Sequence, residues 1–221
     1  LLSGVFVYLS IIMQAMGGAL DDRKFVSVIE SLSVGFYGYF NYLIKAFIPF
    51  NLSVYHPYSY ANEESIPWYF YLSALPVLAL FIWIIINYKK KKNLLFGVLF
   101  FFISLIPVIQ VLPIGSAITA DRYTYLPYFG LFYVFAYYGV KRFNNTKFKK
   151  YASIGFAFYI MILVLISYKH SKTFRDSGSL WSNVIEKYPN DYLAYMNLCD
   201  YWIGKQQYKN ALSSINIAID L

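Results

Sequence analysis

The sequence predicts an all-α protein: a polytopic transmembrane helical bundle followed by a soluble helical hairpin. Three observations carry this. Hydrophobic residues make up 59% of the 221-residue chain and charged residues only 14%, above the apolar share and below the charged share of an ordinary soluble domain. The apolar residues gather into runs near the ~20 residues that cross about 30 Å of hydrocarbon. After Lys169 the composition turns abruptly polar, with apolar residues at helical spacing.

Residues 1–168 form the membrane domain on this reading. Leu1 to Leu20 reads as a first span; it begins in mid-run with neither Met nor a signal-peptide pattern, so an N-terminal part is expected upstream. Residues 25–50 are interrupted by Glu30, Asn41 and Lys45, and their glycines and tyrosines suit an interfacial or partly immersed helix. Further spans are expected from Pro67 to Tyr88, Asn93 to Pro113, Tyr123 to Val140 and Tyr151 to Tyr168. Tyrosines cluster at their ends, where a ring can be buried while its hydroxyl stays wet.

Charge sets the orientation. The formal net charge of +8 could suggest nucleic acid, but the lysines sit beside apolar runs and membrane topology accounts for them, so no nucleic-acid partner is expected. The loops Lys89 to Lys92 and Lys141 to Lys150 are the most basic, and two spans separate them. Both then lie on the cytoplasmic side. The loop around Asp121, the loop from Asn51 to Ser65 and residues 169–221 face outward. That means the periplasm or exterior for a bacterial inner membrane, or the lumen for an endoplasmic-reticulum membrane. The single cysteine, Cys199, cannot form an internal disulfide and leaves the redox compartment open.

The tail carries a tetratricopeptide pattern, whose unit is a helix-turn-helix of about 34 residues. With Tyr192 as the first position, Tyr195, Leu198 and Trp202 fall at the fourth, seventh and eleventh. Tyr208, Ala211, Ile215, Ala218 and Ile219 supply the second helix, and Pro189 closes a preceding repeat. Cys199 departs, at a position usually held by glycine or alanine. Tyr195, Trp202 and Tyr208 are the candidate partner-binding residues. A lone repeat cannot bury its apolar face, so the chain is expected to continue beyond Leu221 or to pack the hairpin elsewhere.

No glycine-rich phosphate loop, HExxH, paired CxxC or GxSxG occurs, and His56 and His170 lack a metal-ligand spacing. Polar residues at the outer membrane face remain. Asp121 reads either as a cap for a helix beginning near Tyr123, with Arg122 snorkelling to headgroups, or as part of a lipid-phosphate site in which Arg122 binds the phosphate bidentately. Tyr123 and Tyr125 stand beside them. Tyr55, His56 and Tyr58 belong either to an ordinary interfacial loop or to a pocket for the sugar or acceptor. Gln14 and Gln110 read as helix-to-helix hydrogen bonds. Glu63, Glu64, Asp21, Asp22 and Asp121 are outer-loop acids, and no spacing singles one out as a general base.

The order of these segments carries a resemblance. A span ending in IIMQ is followed by YLIKAFIPFNLSVYHPY, two spans, ADRYTYLPYFGLF, a final span and SGSLWSNVIEKYPNDYLAYMNLCDYW. This resembles the C-terminal half of the transmembrane and tetratricopeptide-repeat-containing proteins, including their bacterial relatives. The resemblance implies a multispanning C-type glycosyltransferase that moves a sugar from a polyprenyl phosphate to a protein hydroxyl outside the cytoplasm. It implies the lipid-linked sugar as donor substrate, with no certain cofactor and an open metal requirement, and an acceptor protein engaged through the repeats. The expected general base lies in a first outer loop, a region this sequence does not contain. Arg122 is the principal residue carried over, with Asp121, Tyr123, Tyr55 and His56 beside it. The alternative is a non-catalytic membrane-anchored repeat scaffold that recruits a partner. A transporter is disfavoured, because no expected span carries a buried charge or a broken-helix pattern.

Overall fold

Ser27 stands three residues before Glu30, a helix-start signature, and its hydroxyl accepts the Glu30 amide at 3.2 Å. The first described helix, α1, runs Val28–Lys45. The computed structural model of the chain describes residues 27–58, 66–89, 91–109, 117–143 and 148–221. The expected span 1–20 and residues Asp21, Asp22, Glu63, Glu64, Gln14 and Gln110 lie outside them. The chain is mostly helical and divides into two compact units, residues Leu1–Ile48 with His56–Val134, and Pro49–Tyr55 with Phe135–Leu221.

In the first unit α1 is followed by a short strand β1 (His56–Pro57), helices α2 (Trp68–Leu72), α3 (Ala74–Asn87) and α4 (Lys92–Leu105), strand β2 (Ala117–Thr119), a 3₁₀ turn Asp121–Thr124 and the start of α5 (Pro127–Phe143). The strands pair antiparallel, with His56 opposite Thr119 and Pro57 opposite Ala117. Val34, Tyr58, Ile66, Phe70 and Ile118 form a core, and Tyr37 stacks on Phe70 with ring centroids 4.0 Å apart. One stripe of α1, at Gly38, Tyr42 and Lys45, faces the end of β2 residue by residue. A Cβ on Gly38 would stand 2.9 Å from Ile109 and 3.7 Å from Thr119. The Tyr42 hydroxyl accepts the Ala120 amide at 2.9 Å, and Lys45 reaches Asp121. The i, i+4, i+7 spacing makes this possible, since those positions share one helix face.

Helices α4 and α5 cross at two glycines. A Cβ on Gly97 would stand 2.4 Å from the Gly130 carbonyl oxygen, and one on Gly130 would stand 2.3 Å from that of Gly97. Small residues allow backbones this close, the packing mode of helices in lipid.

In the second unit α5 ends and is followed by α6 (Lys149–Ser171), a 3₁₀ turn Lys172–Phe174, and helices α7 (Ser177–Lys187), α8 (Tyr192–Gly204) and α9 (Tyr208–Asp220). Asp176 caps α7, accepting the Ser179 amide at 2.7 Å. Helix α7 approaches α8 at Gly178, where a Cβ would stand 2.4 Å from the Tyr201 ring. Val184, Ala194, Cys199, Ala211 and Ser214 are buried between the three helices. Residues 49–55 lie along them: the Lys187 ammonium donates to the Leu52 carbonyl, and Tyr55 meets the edge of Trp181 at 5.9 Å.

Among the described residues two helices are long and apolar enough to cross a membrane, Trp68–Asn87 with mean hydropathy 2.3 and Lys149–Phe174 with 1.9. Helix α6 within the second buries no residue in the protein, which suits a helix solvated by lipid. Helix α4 has 14 residues and α5 has 17, about 21 and 26 Å at 1.5 Å per residue. Each is shorter than the ~30 Å hydrocarbon core.

Candidate functional site

Helix α1 ends at Lys45, the strand ladder sets His56 beside the end of β2, and the 3₁₀ turn begins at Asp121. These three side chains meet in the first unit. The Lys45 Nζ stands 2.7 Å from Asp121 Oδ1 and 2.7 Å from His56 Nε2, and His56 Nε2 is 3.5 Å from the same carboxylate oxygen. Lys45 and His56 are buried and Asp121 is half-buried. His56 Nε2 therefore faces both the Lys45 ammonium and the Asp121 carboxylate, and its hydrogen-bonding role is set by the imidazole tautomer.

The surroundings hold the cluster in place. The Tyr42 hydroxyl donates to the Ala120 carbonyl at 3.2 Å, the Tyr128 hydroxyl donates to the Tyr42 carbonyl at 2.9 Å, and the Thr124 hydroxyl donates to the Asp121 carbonyl at 2.7 Å. Burial pushes the Asp121 carboxyl up, but neighbouring His56 and the Lys45 ammonium outweigh it, leaving the group below its ordinary value. Burial lowers the Lys45 ammonium, and Asp121 only partly restores it. Both charges are costly to bury and each depends on the other.

Arg122, the next residue, is exposed, and its guanidinium lies 5.2 Å from the centroid of the Tyr123 ring. Among the described residues it has no carboxylate partner. Asp121 does not act as a helix cap: the residue before the 3₁₀ turn is Ala120, with no side-chain cap, and the carboxylate is taken by Lys45. The sequence-predicted Asp121 and His56 are thus brought together, while Arg122 and Tyr123 stand beside them. Tyr55 belongs to the second unit, where its hydroxyl donates to Asp191. The sequence marks Lys45 only as an interruption of an apolar segment, and its role emerges where the Gly38, Tyr42 and Lys45 stripe meets β2 and Asp121. Among the described residues no group of three His, Cys, Asp or Glu side chains could hold a metal ion.

In the second unit, a groove of about 430 Å³ is lined by Ser177, Trp181, Asn197, Asp200, Tyr201 and Lys205, with Gly204 at its edge. None of Tyr195, Trp202 and Tyr208 lines it. Tyr208 is exposed, Tyr195 is half-buried and Trp202 packs edgewise on Tyr201 at 5.0 Å. Asp191 precedes α8, and burial raises its carboxyl to about 6 against the amides of Leu193 and Ala194. A carboxyl raised from 3.8 contributes stability that is fully present below about pH 4 and lost as pH rises through about 6. Discounted for solvent screening, the loss is roughly 1 kcal/mol. Unfolding of the wild type followed by circular dichroism from pH 4 to 7 is expected to show that slope, and Asp191→Asn to flatten it; an equal slope in both would remove Asp191 as its source.

No protein-family model matches the chain, and comparison with the curated proteins and with the solved structures likewise finds no match.

Proposed function

We propose that the chain is a membrane glycosyltransferase, or the C-terminal part of one, that moves a sugar from a polyprenyl-phosphate donor to a protein hydroxyl on the extracytoplasmic side. In this reading the membrane domain is a polytopic bundle, with α4 and α5 as short spans around which the bilayer thins, besides the two longer helices. The basic loops face the cytoplasm, and α7 to α9 are a tetratricopeptide region presenting the acceptor. Bilayer, lipid-linked sugar and acceptor protein are its partners.

One observation carries the reading. Asp121 is occupied by Lys45, so the adjacent Arg122 offers an exposed guanidinium with no carboxylate to neutralise it among the described residues. A planar guanidinium matches the oxygens of a phosphate, and Tyr123 beneath it holds the side chain over an aromatic face. The chemistry required of Arg122 is to bind the donor phosphate and stabilise the charge that grows on the leaving oxygen as the sugar–oxygen bond breaks.

Arg122→Ala is expected to lower transfer from a polyprenyl-phosphate sugar by about 100-fold, with Arg122→Lys between it and wild type. Membrane insertion and thermal unfolding should stay unchanged. Transfer at the wild-type rate by Arg122→Ala removes the phosphate role.

The groove on α7 and α8 favours a second reading, a membrane-anchored scaffold without catalysis. Trp181 and Tyr201 there offer aromatic surface, and Asp200 and Lys205 offer charges of both signs to a peptide. A chain that captures a peptide yet transfers no sugar in the presence of donor would decide for it.

A further inference from the structure

We infer that Lys45 keeps Arg122 open to a phosphate group by holding the neighbouring Asp121 carboxylate away from it. The inference rests on the phosphate reading of Arg122 and adds a residue that the sequence pattern does not mark.

Asp121 and Arg122 are consecutive, so their Cα atoms are ~3.8 Å apart. A long arginine side chain can reach a neighbouring carboxylate and hold it in a charge-assisted pair. That pair would cancel the charge a phosphate needs. The structure has the other arrangement: Oδ1 of Asp121 lies 2.7 Å from Lys45 Nζ, while Arg122 turns away over Tyr123. Lys45 is well placed for this task. It sits at the C-terminal end of α1, pinned by the Tyr42 contact to Ala120 one turn earlier, and it is too buried to serve as a first contact for a ligand itself. His56 Nε2 lies 2.7 Å from the same Nζ, a second contact that holds the side chain toward the turn. Lys45 is therefore a positioning residue that acts through Asp121.

A merely structural role for Lys45 would not be rescued by removing its partner, whereas this role would. Binding of farnesyl phosphate is measured on the full chain in nanodiscs of neutral phosphatidylcholine, with inorganic phosphate as a second probe. Lys45→Met is expected to weaken binding at least about tenfold, because the released carboxylate competes for Arg122. The double variant Lys45→Met/Asp121→Asn is expected to return to within about threefold of wild type. Asp121→Asn alone, which removes the competitor and leaves Arg122 open, should bind at least as well as wild type, and it keeps the test decisive where Lys45→Met folds poorly.

The inference is overturned if Lys45→Met binds as wild type does, if the double variant binds no better than Lys45→Met, or if Asp121→Asn loses binding as Lys45→Met does. Farnesyl phosphate responding in this order while inorganic phosphate does not bind supports the guarding role with a lipid ligand. The same order with inorganic phosphate supports it with a free anion. Arg122→Ala separates the two levels: unchanged binding there refutes the phosphate reading itself, whereas lost binding there with unchanged Lys45→Met refutes only the guard.

Discussion

Gly130→Val is expected to destabilise the first unit by about 3 kcal/mol or more, measured by denaturant unfolding in detergent micelles. Gly97→Val should do the same. The Cβ that either change adds would stand within 2.4 Å of the other helix's backbone carbonyl, far inside van der Waals contact. A side-chain clash could be relieved by a rotamer change; a backbone clash requires α4 and α5 to separate. Separation also breaks the contacts packed around the crossing, including Gly97 on Val134 and Gly130 on Phe100. Gly139 in the same helix α5 is the control, since a Cβ there meets nothing within 4 Å. Gly139→Ala should change stability by less than about 1 kcal/mol and in the favourable direction, because alanine is the better helix former. Equal effects at Gly130 and Gly139 would refute the close crossing.

Those two glycines mark the limit of what the sequence makes legible. Helical segments near 67–88 and 151–168 follow from composition, because an unbroken apolar run leaves no alternative that satisfies its backbone in lipid. Which helices touch does not follow. Gly97 and Gly130 are separated by a strand and a turn, and nothing in either neighbourhood announces the other. The same holds for the site. Asp121 and His56 stand out as rare polar residues near apolar runs, but the contact joining them is made by Lys45, which local reading assigns to a helix interrupted by charge. Its meaning comes from the stripe it shares with Gly38 and Tyr42, and the stripe is recognisable only once β2 lies against it. Asp121 illustrates the converse. An acidic residue before a helix reads as a cap by local rules, and the local rule loses to a buried ammonium 2.7 Å away, because a full charge in a half-buried place binds a carboxylate more strongly than two amides do.

Lys45→Met is expected to cost about 2 kcal/mol of stability, less than the ~3–5 kcal/mol typical of stranding one member of a buried ion pair. The difference lies in Arg122, which stands next in the chain and can accept the released carboxylate. Arg122→Ala alone, a change at an exposed side chain, should cost under ~0.5 kcal/mol. The combination Lys45→Met/Arg122→Ala leaves Asp121 only the His56 imidazole at 3.5 Å and should cost ~3 kcal/mol or more, beyond the sum of the single losses. Strict additivity would mean that the carboxylate never turns to Arg122. Acid titration gives an independent check on the same group. With its carboxyl held below the usual 3.8, Asp121 contributes stability above that pH and loses it as pH falls through the lower folded value. Wild type should therefore lose stability on acidification below about pH 4. Lys45→Met should lose less, since its carboxylate rests on a more solvated and weaker partner. Lys45→Met/Asp121→Asn should lose none of this contribution, because no carboxylate remains to take up the proton.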